Sequence, residues 1–142
     1  MNQYFYELSK QAAQAAADRG ITNIDPRWIY AQWAHESKDF TSKLFIENKN
    51  SGGLTQEENN GDENKQPDGE YWYKIFATYE EYADFFGKYL QGFLDSGVNQ
   101  ATTIVEYITA LKLSPSGEYF GDDIDNYITN CEYRYKEAFG EC

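Results

Sequence analysis

Residues 25–40 read DPRWIYAQWAHESKDF, and this stretch marks the sharp start of a helix. Asp25 suits the N-cap position because its side chain can accept a hydrogen bond from the free amides of the first turn. Pro26 suits the first helical position because its missing N–H leaves no hydrogen bond unmade there. We therefore predict a helix that begins at Pro26 and runs through Glu36 towards Phe40.

Apolar residues at helical spacing predict further helices on both sides of this one. Thr78 and Glu81 form a capping box before the most regular stripe, which we assign to the core rather than to a ligand surface. The predicted helices cover residues 2–18, 78–94, about 100–112 and about 123–138.

Residues 47–70 differ in composition, since Asn, Gly, Glu and Asp dominate them and Asn60-Gly61 is a strong turn signal. The sequence YWYKIF at 71–76 is rich in residues that favour strands. We therefore expect a long loop that carries a small, mobile hairpin over residues 54–76. A loop of this length inside a compact domain is usually functional.

The composition favours one folded domain over residues 1–142, of the α+β class and mainly α. Aromatic residues make up 18% of the chain, which disordered proteins do not show. A net charge of −12, from 24 acidic against 12 basic residues, argues against nucleic acid and anionic membranes as partners. No apolar stretch approaches the length of a membrane span, and the first ten residues do not form a signal peptide.

Glu36 is the one residue of the second helix that does not fit a purely structural role. On a helical wheel it lies roughly 20° from Ile29 and 60° from Trp33, at the edge of the apolar stripe. Partial desolvation there favours the protonated form of a carboxyl, and glycoside hydrolysis needs such an acid for the leaving oxygen. The plain alternative is a glutamate at the helix border that simply reaches water.

Other chemistries find less support in the residues. Neither a GxSxG motif nor a phosphate-binding GxxxxGK[ST] motif occurs, and Pro67 stands where a calcium loop needs glycine. The single His35 cannot complete a zinc site, so we expect neither a metal nor a cofactor. Cys131 and Cys142 lie eleven residues apart, and whether they pair stays open.

Four stretches together resemble the glucosaminidase family, glycoside hydrolase family 73. The sequence IYAQWAHES at 29–37 resembles the family's catalytic helix, which usually reads AQxxxES. KNSGGLT at 49–55 resembles its NNLFGIK-like turn, and YKIFATYEEY at 73–82 resembles its YRxYxSxEES-like helix start. YFGDDIDNYI at 119–128 resembles its YATDPxYxxxI stretch. The likeness covers residues 25–130 in the family's order.

The resemblance implies a lysozyme-like fold, in which a helical lobe and a small β-hairpin lobe flank a sugar cleft. It implies that Glu36 is the general acid, that Tyr119 lines the site near it, and that Asn50 shapes the turn beneath the cleft. Lys49 and Gly52 depart from the family's turn, and Lys38-Asp39 stand where it often has Trp-Gly. These departures leave the exact bond open.

The second carboxylate is expected from the hairpin, where six acids lie between Glu57 and Glu70. We rank Glu58 and Glu70 first, because Glu58 closely follows the turn and Glu70 begins the returning strand. The residues taken as candidates for binding the glycan are Trp33, Asn50, Tyr73 and Tyr127.

The sequence therefore predicts a peptidoglycan hydrolase, with a β-N-acetylglucosaminidase as the first interpretation. A muramidase or lytic transglycosylase on the same fold is the first alternative. A catalytically silent module that binds glycan or builds a phage tail is the second. The expected partner is the peptidoglycan strand of the cell wall. Without a signal peptide, the chain would reach the wall by lysis, in a phage particle or within a longer exported chain.

Overall fold

The computed structural model describes residues 1–50, 75–111 and 123–140 in full, and the backbone alone of residues 55–56, 63–65, 72–74 and 112. Helices dominate these residues, which confirms the mainly α prediction. The α-helices are α1 (Gln3–Ala17), α2 (Pro26–Glu36), α3 (Lys43–Asn48), α4 (Tyr79–Leu90), α5 (Ile104–Lys112) and α6 (Ile124–Phe139). Two 3₁₀ helices, Gln91–Ser96 and Val98–Gln100, connect α4 to α5. In this part of the chain, no helix combines the length and the apolar composition of a membrane span.

Three short strands pair antiparallel: β1 (Thr55–Gln56), β2 (Glu63–Lys65) and β3 (Trp72–Lys74). β3 is the central strand, and the backbone of Tyr73 lies opposite Thr55 on one side and Asn64 on the other. The chain leaves β3 at Ile75, and the next amide, that of Phe76, donates to the Asn48 carbonyl at 2.9 Å. This bond ties the end of the strand segment to the end of α3.

Helix α2 begins as predicted but ends earlier. The Asp25 side chain accepts a hydrogen bond from the Arg27 amide at 2.9 Å, and Pro26 occupies the first turn. The predicted continuation towards Phe40 is wrong, because the helix ends at Glu36 and Lys38, Asp39 and Phe40 have φ values of 52°, 59° and 68°. For a residue with a side chain, this left-handed conformation costs roughly 1–2 kcal/mol. The spacing of apolar residues does not show where such a conformation ends a helix.

Helix α3 has no counterpart among the predicted helices. Its N-cap is Ser42, whose hydroxyl accepts from the Phe45 amide at 3.2 Å, and its C-cap is Lys49 in a left-handed conformation. The helix has six residues and buries Phe45 and Asn48. So short a segment shows too few turns for helical periodicity to stand out.

The core surrounds α2 on all sides, since every residue from Trp28 to Ala34 is buried. Helices α1 and α6 pack against α2, and α4 packs against α1. Gly87 permits a close approach of α1 and α4, because a Cβ there would lie 2.6 Å from both the Ala12 oxygen and the Ala15 Cβ. The most regular predicted stripe does belong to this core, with Tyr82, Phe86 and Leu90 almost fully buried.

Candidate functional site

Glu36 is the last residue of α2, and its side chain is only partly exposed. Its Oε1 accepts a hydrogen bond of 2.5 Å from the hydroxyl of Tyr127, which lies 91 positions later on α6. The packing of α2 against α6 therefore brings these two side chains together.

Tyr127 is a donor over the whole physiological pH range. Burial raises the pKa of its hydroxyl well above the ordinary value, and the charge of Glu36 adds to the effect. Its side chain is 2% exposed, and the His35 ring meets it edge-on with centroids 4.7 Å apart. The Tyr127 proton is therefore held, not transferred, and its function is to bind Oε1.

A second buried hydrogen bond lies one helical turn before Glu36. The Tyr107 hydroxyl, on α5, donates to Oε1 of Gln32 at 2.6 Å, and both side chains are fully buried. Burial raises the pKa of Tyr107 well above its ordinary value, and the charge of Glu36 is the next cause. Gln32 and Glu36 share a face of α2 because they are four residues apart.

The charge of Glu36 acts on two further neighbours. Burial raises the pKa of the Cys131 thiol far above its usual range, and Glu36 is the second cause. Burial likewise raises the pKa of Tyr89, with Glu36 again second. Cys131 carries a free, buried thiol that stays protonated, and a thiol in that state is a poor nucleophile.

The turn that follows Glu36 is held in its left-handed conformation by specific bonds. The Asp39 amide donates to the Ala34 carbonyl at 2.7 Å, and the Phe40 amide donates to Ser37 Oγ at 2.8 Å. The Arg134 guanidinium, on α6, donates to Asp39 at 3.0 Å. Strained backbone of this kind is frequent at functional sites, where the surrounding structure keeps it in place.

The predicted site residues that the structure describes differ in their surroundings. Trp33 is 1% exposed and packs against Tyr82 and Phe86, so it is a core residue beside Glu36. Asn50 is fully buried at the end of the described segment after α3. Tyr127 is buried and contacts Glu36, and glycan binding by any of these three residues stays a prediction.

The remaining predictions fall where the structure gives no side chains. Glu58, Glu70 and Tyr119 lie outside the described residues, as does Cys142. Tyr73 is described only as a backbone position of β3. The structure therefore brings together Glu36 and Tyr127 from the predicted set, and it does not bear on the second carboxylate.

Sequence reasoning missed Gln32 and Tyr107 as members of the site. A signal for Gln32 was present, because it is a long polar residue inside an otherwise apolar run of α2. Tyr107 gave none, since its position on α5 fits an ordinary core aromatic. Within the described ranges, no three His, Cys, Asp or Glu residues are grouped as a metal site would need.

We compared the chain with known protein families, curated proteins and solved structures. No family model, no curated protein and no solved structure matches this chain.

Proposed function

We propose that this chain is a peptidoglycan glycosidase, with β-N-acetylglucosaminidase as the preferred activity and Glu36 as its general acid. The observation that carries the proposal is the 2.5 Å hydrogen bond from Tyr127 to Glu36 Oε1 on a partly buried carboxyl. A carboxyl that only reached water from the helix border would not need a buried tyrosine hydroxyl fixed on one oxygen. The resemblance of residues 29–37 to a glucosaminidase helix gives the substrate class.

In the proposed reaction, Glu36 transfers its carboxyl proton to the glycosidic oxygen as the bond from that oxygen to the anomeric carbon breaks. The bonding electrons leave with the oxygen, and the anomeric carbon develops oxocarbenium character. Water then adds to this carbon and gives up a proton, which restores the protonated acid by way of the active-site carboxylates. Tyr127 keeps its own proton throughout and stabilises the carboxylate left after transfer.

The proposal includes a lysozyme-like arrangement, with the helices on one side of a cleft and the strand segment on the other. Its second carboxylate is Glu58 or Glu70, and Tyr119 lines the site. A carboxylate separation of roughly 5–5.5 Å would give retention of configuration, and roughly 6.5–9.5 Å would give inversion. Alanine substitution of each acid from Glu57 to Glu70 identifies the partner. If all six variants stay active, the reaction needs one acid only, as in a lytic transglycosylase.

The test is digestion of purified peptidoglycan by the wild-type chain and by Glu36→Gln, followed by mass spectrometry. We expect new GlcNAc reducing ends with the wild type and none with Glu36→Gln, which keeps the shape of the side chain but has no proton to transfer. New MurNAc ends would indicate a muramidase instead of a glucosaminidase, and anhydro products would indicate a lytic transglycosylase. Equal digestion by the wild type and Glu36→Gln would show that Glu36 is not the general acid. If neither protein gives products, the remaining interpretation is a catalytically silent module that binds glycan or builds a phage tail.

A further inference from the structure

A cavity of about 320 Å³ lies between the start of α1, the turn after α2 and the last turns of α6. Its apolar lining includes the rings of Phe5 and Phe40, which stack with their centroids 4.5 Å apart and form an aromatic floor. Its polar lining includes Tyr30, Asp39, Arg134 and Glu137. A few polar groups around an apolar surface in a cavity of this size are typical of a small-molecule site.

The Tyr30 hydroxyl is a buried donor in this lining. Tyr30 is 5% exposed, and its oxygen accepts a hydrogen bond of 2.7 Å from the Asn2 amide. Among the residues that the structure describes, none accepts the proton of this hydroxyl. Burial raises the pKa of Tyr30, so the proton is present at physiological pH. A buried donor without an acceptor costs stability, and a ligand acceptor in the cavity would remove that cost.

The Arg134 guanidinium brings further donors to the cavity. Its Nε donates to Asp39 Oδ1 at 3.0 Å, and its Nη1 donates to the Asn130 carbonyl at 3.4 Å. Within the described ranges, its Nη2 has no acceptor. The Arg134 side chain is 18% exposed, so the bond to Asp39 holds it in a largely enclosed position. A guanidinium and a hydroxyl that line one cavity are suited to bind a carboxylate.

Two carboxylates line the same cavity. Asp39 lies in the left-handed turn after α2, and Glu137 lies on α6 one helical turn after Arg134. Negative charge therefore exceeds positive charge among these three side chains. A simple anion would be repelled, whereas a ligand with its own positive charge beside the carboxylate would match both signs.

We propose that this cavity binds a zwitterionic amino-acid group, whose carboxylate accepts from the Tyr30 hydroxyl and the Arg134 guanidinium. Its ammonium lies between Asp39 and Glu137, and its apolar part packs on the aromatic floor. Two sources supply this chemistry: a free amino acid, or a diamino acid of a wall stem peptide that keeps one amino and one carboxyl group unblocked. The inference goes beyond the proposed function, because Glu36 does not line the cavity.

The test is titration of the labelled full chain, followed by two-dimensional proton–nitrogen NMR. The probes are norleucine and a stem tripeptide that ends in diaminopimelate. We expect saturable shifts of the amide signals of Asp39, Phe40 and Arg134. N-acetylnorleucine lacks the ammonium and norleucinamide lacks the carboxylate, so each should bind about tenfold more weakly than norleucine. Shifts with norleucine alone would assign the site to free amino acids, and shifts with the tripeptide would assign it to the wall.

Two variants test the residues. Tyr30→Phe removes the donor and keeps the ring, and we expect the affinity for norleucine to fall about tenfold. Because this variant also removes the bond to the Asn2 amide, Glu137→Gln provides a second test at an exposed position. It should weaken binding of norleucine but not of N-acetylnorleucine, which has no ammonium. Tyr6→Phe is the matched control, because Tyr6 packs against the Tyr30 ring without lining the cavity.

The absence of a saturable shift with both probes would overturn the site, as would equal affinity for norleucine and its two analogues. Unchanged affinity in both Tyr30→Phe and Glu137→Gln would overturn it as well. Wall cleavage is measured separately on the same wild-type protein. Binding without cleavage would contradict the proposed function and leave this site, and cleavage without binding would do the opposite.

Discussion

Tyr127 donates its hydroxyl proton to Oε1 of Glu36 across 2.5 Å, which joins the end of α2 to the first turns of α6. Burial raises the pKa of Tyr127 well above its ordinary value, so its hydroxyl remains a hydrogen-bond donor at physiological pH. The hydroxyl of Tyr127 therefore fixes Oε1 of Glu36 as a hydrogen-bond acceptor. The chemistry proposed for the site depends on this hydrogen bond.

The first prediction concerns Tyr127→Phe, which removes the hydroxyl and keeps the ring. A hydrogen bond to a charged group contributes roughly 1.5–3 kcal/mol, so we expect wall cleavage to fall roughly 10- to 100-fold. Turnover of purified glycan strands measures this. Tyr133→Phe is the control, because Tyr133 lies on the same helix and is exposed. Full activity of Tyr127→Phe would show that the hydroxyl has only a structural role.

Local signals explain which parts of the fold could be predicted. The start of α2 at Asp25-Pro26 and the cap at Thr78 each depend on residues within one turn, and both form as expected. In the capping box, Glu81 accepts from the Ala77 amide at 3.2 Å, one residue before the expected position. The end of α2 was not predictable in this way, because Arg134, 95 positions away, helps to hold the turn.

The candidate site likewise contains features that one helix predicts and contacts between helices that it does not. The helical wheel placed Glu36 at an apolar edge, but its hydroxyl partner comes from another helix, and only the resemblance drew attention to Tyr127. The bond between Tyr107 and Gln32 joins positions 75 apart, and no pattern within either helix predicts it. Contacts of this kind depend on how the helices pack, which the spacing of apolar residues leaves undetermined.

The second prediction concerns the close approach of α1 and α4. Gly87→Ala would place a methyl group 2.6 Å from the Ala12 oxygen and 2.8 Å from the Ala16 nitrogen, both backbone atoms that cannot move alone. We expect the free energy of unfolding to fall by roughly 1–3 kcal/mol, as overpacking does elsewhere. Urea unfolding measures it. Gly92→Ala is the control, because a Cβ there has no neighbour within 4 Å; equal effects of the two variants would contradict the packing.

The third prediction concerns the left-handed turn after Glu36. Lys38 is exposed and has a φ of 52°, so its side chain adds conformational strain without burying apolar surface. We expect Lys38→Gly to raise the free energy of unfolding by up to about 1 kcal/mol, because glycine adopts this conformation freely. Lys43→Gly, at the first turn of α3, should have the opposite effect. A loss of stability in Lys38→Gly would show that the turn is not strained there.

The last prediction concerns stability at alkaline pH. Burial raises the pKa values of Tyr107 and Tyr127 well above 10, the ordinary value at which these groups ionise in the unfolded chain. Their contribution to stability is therefore fully present below pH 10 and is lost as the pH rises from there through the folded-state pKa values. Each such tyrosine lowers the free energy of unfolding by up to about 1.4 kcal/mol per pH unit in that window. The buried Cys131 acts in the same sense from pH 9, its ordinary value.

Tyr107→Phe makes this prediction specific, because it removes one of the three groups and keeps the ring in the core. Urea unfolding at a series of pH values from 8 to 11 should show two effects. At pH 8 the variant is less stable than the wild type, since Gln32 Oε1 loses its buried donor. Above pH 10 its stability falls less steeply, by up to about 1.4 kcal/mol per pH unit, so the difference between the two proteins narrows. Parallel curves over the whole series would mean that Tyr107 ionises at the same pH in the folded and unfolded chains, and would contradict its burial in the core.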